Sequence, residues 1–226
     1  YAGGIGDVSV LSFGVGKPID LRIGGAINFN SEVMNKRIKM LYADLPDYHF
    51  KAQNNFEILS NKYRDIVAKT KNVKLFEKNE LQSFHIGLIN KINVTDGYFK
   101  ELDRKIRDID SSVEIRREYS NRFYSTLKNN KYVKIVRHKI GSTYWRQNIL
   151  VNEERDDLLS HLKLKKIKAT SYFPSVNKIF HFLHDLSFPC AEIFASQVIN
   201  LWPWIETTND EISQINIEIE KYYLST

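Results

Sequence analysis

The sequence predicts an α/β chain of three successive textures, and three observations carry that expectation. Two short apolar runs bounded by glycines open the chain. A proline-free stretch from Tyr48 to Leu127 follows, with apolar residues at i, i+3 and i+4. Beyond it, short strand-like runs alternate with short helices, the pattern of a small α+β unit.

In chain order, residues 8–13 predict a short buried strand after a glycine turn, and residues 22–29 a second. Ser31 is placed to cap a helix running to Ala43, with Pro46 as its stop. The best helical stretch is Tyr98–Leu127, with Leu102, Ile106, Ile109, Val113 and Phe123 near one side, long enough to bridge two domains. Val133–Val136 and Tyr144–Val151 predict strands, and Asn152 a cap for a helix through Leu164. Helices are expected near 176–184 and 189–199, and Asn209 is expected to cap a last helix to Tyr222.

The 226 residues suffice for one large domain or two small ones. With 42% apolar and 27% charged residues, the composition is that of an ordinary globular protein and excludes disorder, collagen-like repeats and disulfide scaffolds. The single cysteine, Cys190, fits a reducing compartment, here cytoplasmic, and is expected to pack as a small apolar residue. No apolar run reaches the length of a membrane span. The net charge of +6 is spread thinly, which argues against a nucleic-acid surface. His181 and His184 share helical spacing, but no ligand-spaced cysteine or carboxylate accompanies them; a metal is not expected. His181 and Tyr172 remain candidates to line a substrate mouth.

Glycine is distributed unevenly. Seven of ten fall within the first 25 residues, so the backbone there must turn sharply or approach something closely. The segment Ser12-Phe13-Gly14-Val15-Gly16-Lys17-Pro18 follows the first strand directly. A phosphate-binding P-loop fails, since Leu11 and Pro18 stand where a glycine and a Ser or Thr are needed. A dinucleotide fingerprint fails at Ile19. There remains a lysine presented on a loop near a hydroxyl, as a Schiff-base lysine is.

At these residues the chain resembles the DegT/DnrJ/EryC1 aminotransferases, enzymes of fold type I that use pyridoxal 5'-phosphate. The resemblance runs from Gly6-Asp7 through Ser12-Phe13 and Lys17 to Gly24-Gly25-Ala26-Ile27. It returns at Arg116–Leu127, Trp145–Val151, Ser171–Pro174 and Phe188–Trp202. It implies that residues 1–45 end a large cofactor-binding domain, 46–128 connect, and 129–226 form the small C-terminal domain. Lys17 would carry the Schiff base, Ser12 would donate to the cofactor phosphate, and Gly14 and Gly16 would let the backbone pass close by. The substrates implied are an amino-acid donor and a keto-sugar, nucleotide-linked, in a homodimer sharing its sites, within nucleotide-sugar and cell-surface polysaccharide biosynthesis.

Two departures stand out. The family's Gly-Thr phosphate loop, stacking aromatic and pyridine-facing aspartate all lie upstream of the lysine, so the chain is expected to be a piece of a longer protein holding half of the site. The family's Gly-x-Asn-x-Arg motif is replaced by Ala52-Gln53-Asn54-Asn55-Phe56-Glu57, where Asn55 is the candidate cofactor contact and the arginine is absent. A catalytically inactive relative acting as an interaction module is the alternative reading.

Overall fold

The computed structural model describes residues 4–29, 31–45, 50–67, 74–80, 95–202 and 208–225, with side chains omitted at several positions of 50–67. The chain separates into two compact units, Tyr1–Asn61 with Asn79–Ser111, and Lys62–Lys78 with Ser112–Thr226.

In the first unit β1 (Val8–Ser12) pairs antiparallel with β2 (Gly25–Phe29), in register from Val8↔Phe29 to Ser12↔Gly25. The expected burial is not found: Val10 is 76% exposed and Ile27 49%. A two-stranded ribbon has no second layer to bury against among the described residues. Helix α1 (Glu32–Ala43) likewise buries no side chain; Ser31 precedes it in extended conformation but makes no side-chain cap bond. Helix α2 is Phe50–Val67.

The expected long helix is two, α3 (Asp96–Arg107) and α4 (Ile109–Leu127). Asp108 separates them because local bonds compete with helix continuation there. Its carboxylate takes Arg104 Nη1 at 3.1 Å, and its carbonyl accepts Ser111 Oγ at 2.9 Å. Thr95 Oγ1 caps α3 by accepting the Tyr98 amide, and Tyr98 Oη donates to the Ile23 carbonyl at 3.2 Å.

The second unit holds a four-stranded sheet in the order β3 (Val133–Ile135), β4 (Gln147–Val151), β6 (Val198–Leu201), β5 (Ala169–Thr170), every neighbour antiparallel. Its core joins Phe123 and Leu127 of α4 to Leu158 and Leu162 of α5 (Arg155–Leu164), and to Ile212 and Ile219 of α7 (Asn209–Ser225). One buried polar pair crosses it: Ser120 Oγ donates to Gln147 Oε1 at 2.7 Å, while Gln147 Nε2 donates to the Val136 carbonyl.

Four local expectations are corrected here. Helix α5 begins at Arg155, not after Asn152: Glu154 turns the chain at φ 56° and its carbonyl takes the Leu158 amide. The helix expected near 176–184 is two 3-10 turns, Val176–Lys178 and His181–Leu183. Phe76 breaks it, its amide donating to the Ile179 carbonyl and its carbonyl accepting the His181 amide, both at 2.9 Å. Helix α6 (Pro189–Gln197) ends in β6 instead of running to 199. Arg155 Nη1 donates to the Ala195 and Val198 carbonyls at that junction, which satisfies groups the helix leaves open. Cys190, expected to be packed, is exposed on the first turn of α6.

Candidate active site

The loop between β1 and β2 is held from both ends. The Phe13 amide donates to the Gly24 carbonyl at 3.0 Å and the Leu21 amide to the Phe13 carbonyl at 2.9 Å, so the buried Phe13 side chain anchors its base. The chain then turns at Gly16, whose φ of 79° a side chain would oppose. The Lys17 amide closes the turn on the Gly14 carbonyl at 3.2 Å.

Asp20 fixes the return. Its Oδ2 accepts the Gly16 amide at 2.7 Å and its Oδ1 the Arg22 amide at 2.9 Å, bracing a residue that itself sits at φ 69°. Sequence reasoning missed Asp20; a carboxylate that bonds to backbone leaves no spacing signature, and Pro18-Ile19-Asp20 after the glycine turn was its only trace.

The structure brings Ser12, Gly14, Gly16 and Lys17 together on this one turn. Ser12 is exposed at the end of β1, its Oγ accepting the Gly14 amide at 3.4 Å. That leaves the hydroxyl proton to donate outward. Lys17 is half-buried at the far side of the turn. Gly25 lies in the adjacent strand because nothing larger fits: a Cβ there would stand 2.4 Å from the Leu11 carbonyl oxygen.

The other candidates lie elsewhere. Asn55 falls on α2 with its side chain outside the described residues, and Asn54 is exposed. His181 Nδ1 approaches Glu77 at 3.8 Å, and no cluster of three metal-ligating side chains occurs among the described residues. Tyr172 packs beside Arg146. No described helix is long and apolar enough to cross a membrane.

This mixed α/β chain has the fold of the type-I pyridoxal-phosphate aminotransferases, and solved structures similar to it share that fold. An aminotransferase of the DegT DnrJ EryC1 StrS type from Brucella abortus matches with a TM-score of 0.60 and 18% identity, over 96% of this chain and 51% of its own. PseC of Helicobacter pylori, an aminotransferase of pseudoaminic acid biosynthesis, matches with a TM-score of 0.67 and 19% identity, over 100% of this chain and 55% of its own. A GDP-4-keto-6-deoxymannose-3-dehydratase holding a trapped PLP-glutamate geminal diamine matches with a TM-score of 0.64 and 15% identity, over 96% and 56%. No curated protein matches the chain.

Residues 1–220 match the DegT/DnrJ/EryC1/StrS aminotransferase family, and the chain belongs to it. It spans about half the length of the family structures it resembles.

Proposed function

We propose that this chain carries the lysine loop and small domain of a pyridoxal-phosphate-dependent sugar aminotransferase, which moves an amino group from an amino acid, glutamate by expectation, to a nucleotide-linked keto-sugar. The observation that carries the reading is the braced turn that presents Ser12 and Lys17 within a family match covering almost the whole chain. The division at residues 45 and 128 is part of the same proposal, as are a cytoplasmic homodimer and a site completed by groups outside these 226 residues.

The residues present fit the cofactor. Ser12 Oγ has a proton that it could donate to a phosphate oxygen, and Lys17 Nζ would hold the cofactor through its carbonyl carbon. Bound pyridoxal phosphate supplies the electron sink that makes the donor's α-proton acidic. With the cofactor in place, Lys17 Nζ would be the group that moves that proton. Asp20 keeps the turn from relaxing, so that Nζ starts each cycle from the same backbone position. Ser12 orients without taking part in proton transfer.

Borohydride reduction in the presence of pyridoxal phosphate, followed by peptide mass spectrometry, tests this. A pyridoxyl group saturating at Lys17 and lost in Lys17→Ala is expected. Labelling spread evenly over the surface lysines would remove the assignment and favour the inactive relative, which the missing arginine near Asn55 supports.

A further inference from the structure

The sheet of the second unit has a reverse face, turned from the hydrophobic core, that ends in a buried arginine. Alternation along β4 sends Ile149 and Val151 into the core and leaves Asn148 on the other side. Asn148 pairs with Asn200, and Asn200 with Thr170, so three polar residues form a row across three strands. Their side chains are joined: Asn200 Nδ2 donates to Asn148 Oδ1 at 2.8 Å, and Thr170 Oγ1 donates to Asn200 Oδ1 at 3.3 Å. The same Oδ1 takes the Tyr172 amide at 2.7 Å, directing the chain that leaves β5 toward Arg146.

Arg146 is 7% exposed. Its guanidinium carbon lies 3.8 Å from the Trp202 ring centroid, 4.1 Å from Trp145 and 5.0 Å from Tyr172. The rings cover the faces of the guanidinium, so a partner would meet its in-plane edge. On that edge Nη1 donates to Thr170 Oγ1 at 3.1 Å. Nε is buried without a hydrogen-bond partner, and no carboxylate among the described residues pairs with the group. An arginine has five N–H donors in a fixed fork, and a buried one is ordinarily matched by an acceptor pair. Burial pushes the Arg146 pKa down, the direction expected of a cation without its anion.

We propose that Arg146 anchors a binding site for a small carboxylate, gripped side-on by Nε and Nη2 while Thr170 holds Nη1. The spacing of two parallel N–H groups suits a planar carboxylate. Phe173 defines the rest of the ligand. It is 56% exposed, stacks on Trp145 at 6.4 Å and lies 5.4 Å from Tyr172, offering an apolar wall beside the charged edge. The class of ligand is therefore a carboxylate with a short apolar body.

Two of the chain's three tryptophans stack on this guanidinium, so intrinsic fluorescence reports on it. Sodium propionate is titrated into the full chain against sodium chloride of equal ionic strength, with inorganic phosphate as a second arm. A saturable change with propionate is expected. It should weaken at least about tenfold in Arg146→Lys, which keeps the charge and loses the fork, and vanish in Arg146→Met. Arg146→Met keeps the length of the side chain and needs no counter-ion, so it should fold, as its thermal melt will show. No saturable change with propionate overturns the proposal, as does an unchanged response in Arg146→Met. Saturation by phosphate with propionate silent overturns the carboxylate assignment.

Discussion

At Gly25, Gly14 and Gly16 the structure separates three glycines that look alike in sequence. An alanine Cβ at Gly25 meets a backbone oxygen of the paired strand at 2.4 Å, which no rotamer change relieves; at Gly14 the nearest atom is Ser12 Oγ at 3.6 Å, an ordinary contact. At Gly16 the obstacle is conformational, a φ of 79°. Gly25→Ala is expected to destabilise the β1–β2 ribbon by about 1–3 kcal/mol, as overpacking does, and Gly16→Ala by roughly 1–2 kcal/mol for the left-handed backbone. Gly14→Ala should fold like the parent. Hydrogen exchange of the β1 and β2 amides measures all three, and equal protection in Gly25→Ala and Gly14→Ala would refute the steric account. The pattern also narrows what the glycines are for: Gly25 serves the strand pair and Gly16 the turn. Of the three, only Gly14 faces neither a steric nor a conformational demand from within the chain.

Helix α7 shows how an element's start is set by paired bonds and not by the first capping residue in view. Thr208 Oγ1 accepts the Glu211 amide at 3.2 Å while Glu211 Oε2 accepts the Thr208 amide at 2.7 Å, a reciprocal capping box that displaces Asn209 from the expected role. Thr208→Ala should therefore cost about 1 kcal/mol in urea denaturation, and Asn209→Ala much less; the reverse order would restore Asn209. The same contrast explains what could be foreseen. The glycine-bounded ribbon, α1, β3, β4 and α7 were legible because their signals lie within a few residues. The 3-10 turns at 176–183 were not, since Phe76, which breaks the helix, stands about a hundred positions away. Strand β6 was hidden because Val198-Ile199-Asn200-Leu201 continues an apolar helix without a turn residue. In the candidate site the expectation for Ser12 and Lys17 rested on residue types that flank a glycine turn and are visible in sequence, whereas Asp20 acts on backbone amides alone.

Across the whole molecule the two units differ in kind: the ribbon and α1 carry exposed apolar side chains, and the second unit holds a continuous core closed by charge as well as by packing. Glu218 of α7 is that closure. Only 2% exposed, it accepts Lys221 Nζ at 2.9 Å and Gln214 Nε2 at 2.8 Å, meets His161 Nε2 of α5 at 3.1 Å, and has Lys165 at 3.9 Å. The Lys221 hydrogen bond, aided by His161 and Lys165, holds its carboxyl below the ordinary value of 4.5 against burial, which acts the other way. The sign of the consequence is fixed. With the folded value below the unfolded one, the unfolded chain binds the proton more readily between them, and stability rises with pH through that interval. The contribution is complete above the ordinary value and is lost as pH falls through the depressed one. Thermal melts from about pH 6 down to pH 3 should show a steeper acid loss for the parent than for Glu218→Gln, which keeps the shape and an acceptor but has no charge to titrate. The variant should also be the less stable of the two at neutral pH, because Lys221 and Lys165 then face an uncharged amide at the α5–α7 contact. Parallel acid limbs for the two proteins would show that other carboxylates, such as the Arg104-bonded Glu101 of α3 with its pKa near 2, dominate the acid unfolding instead.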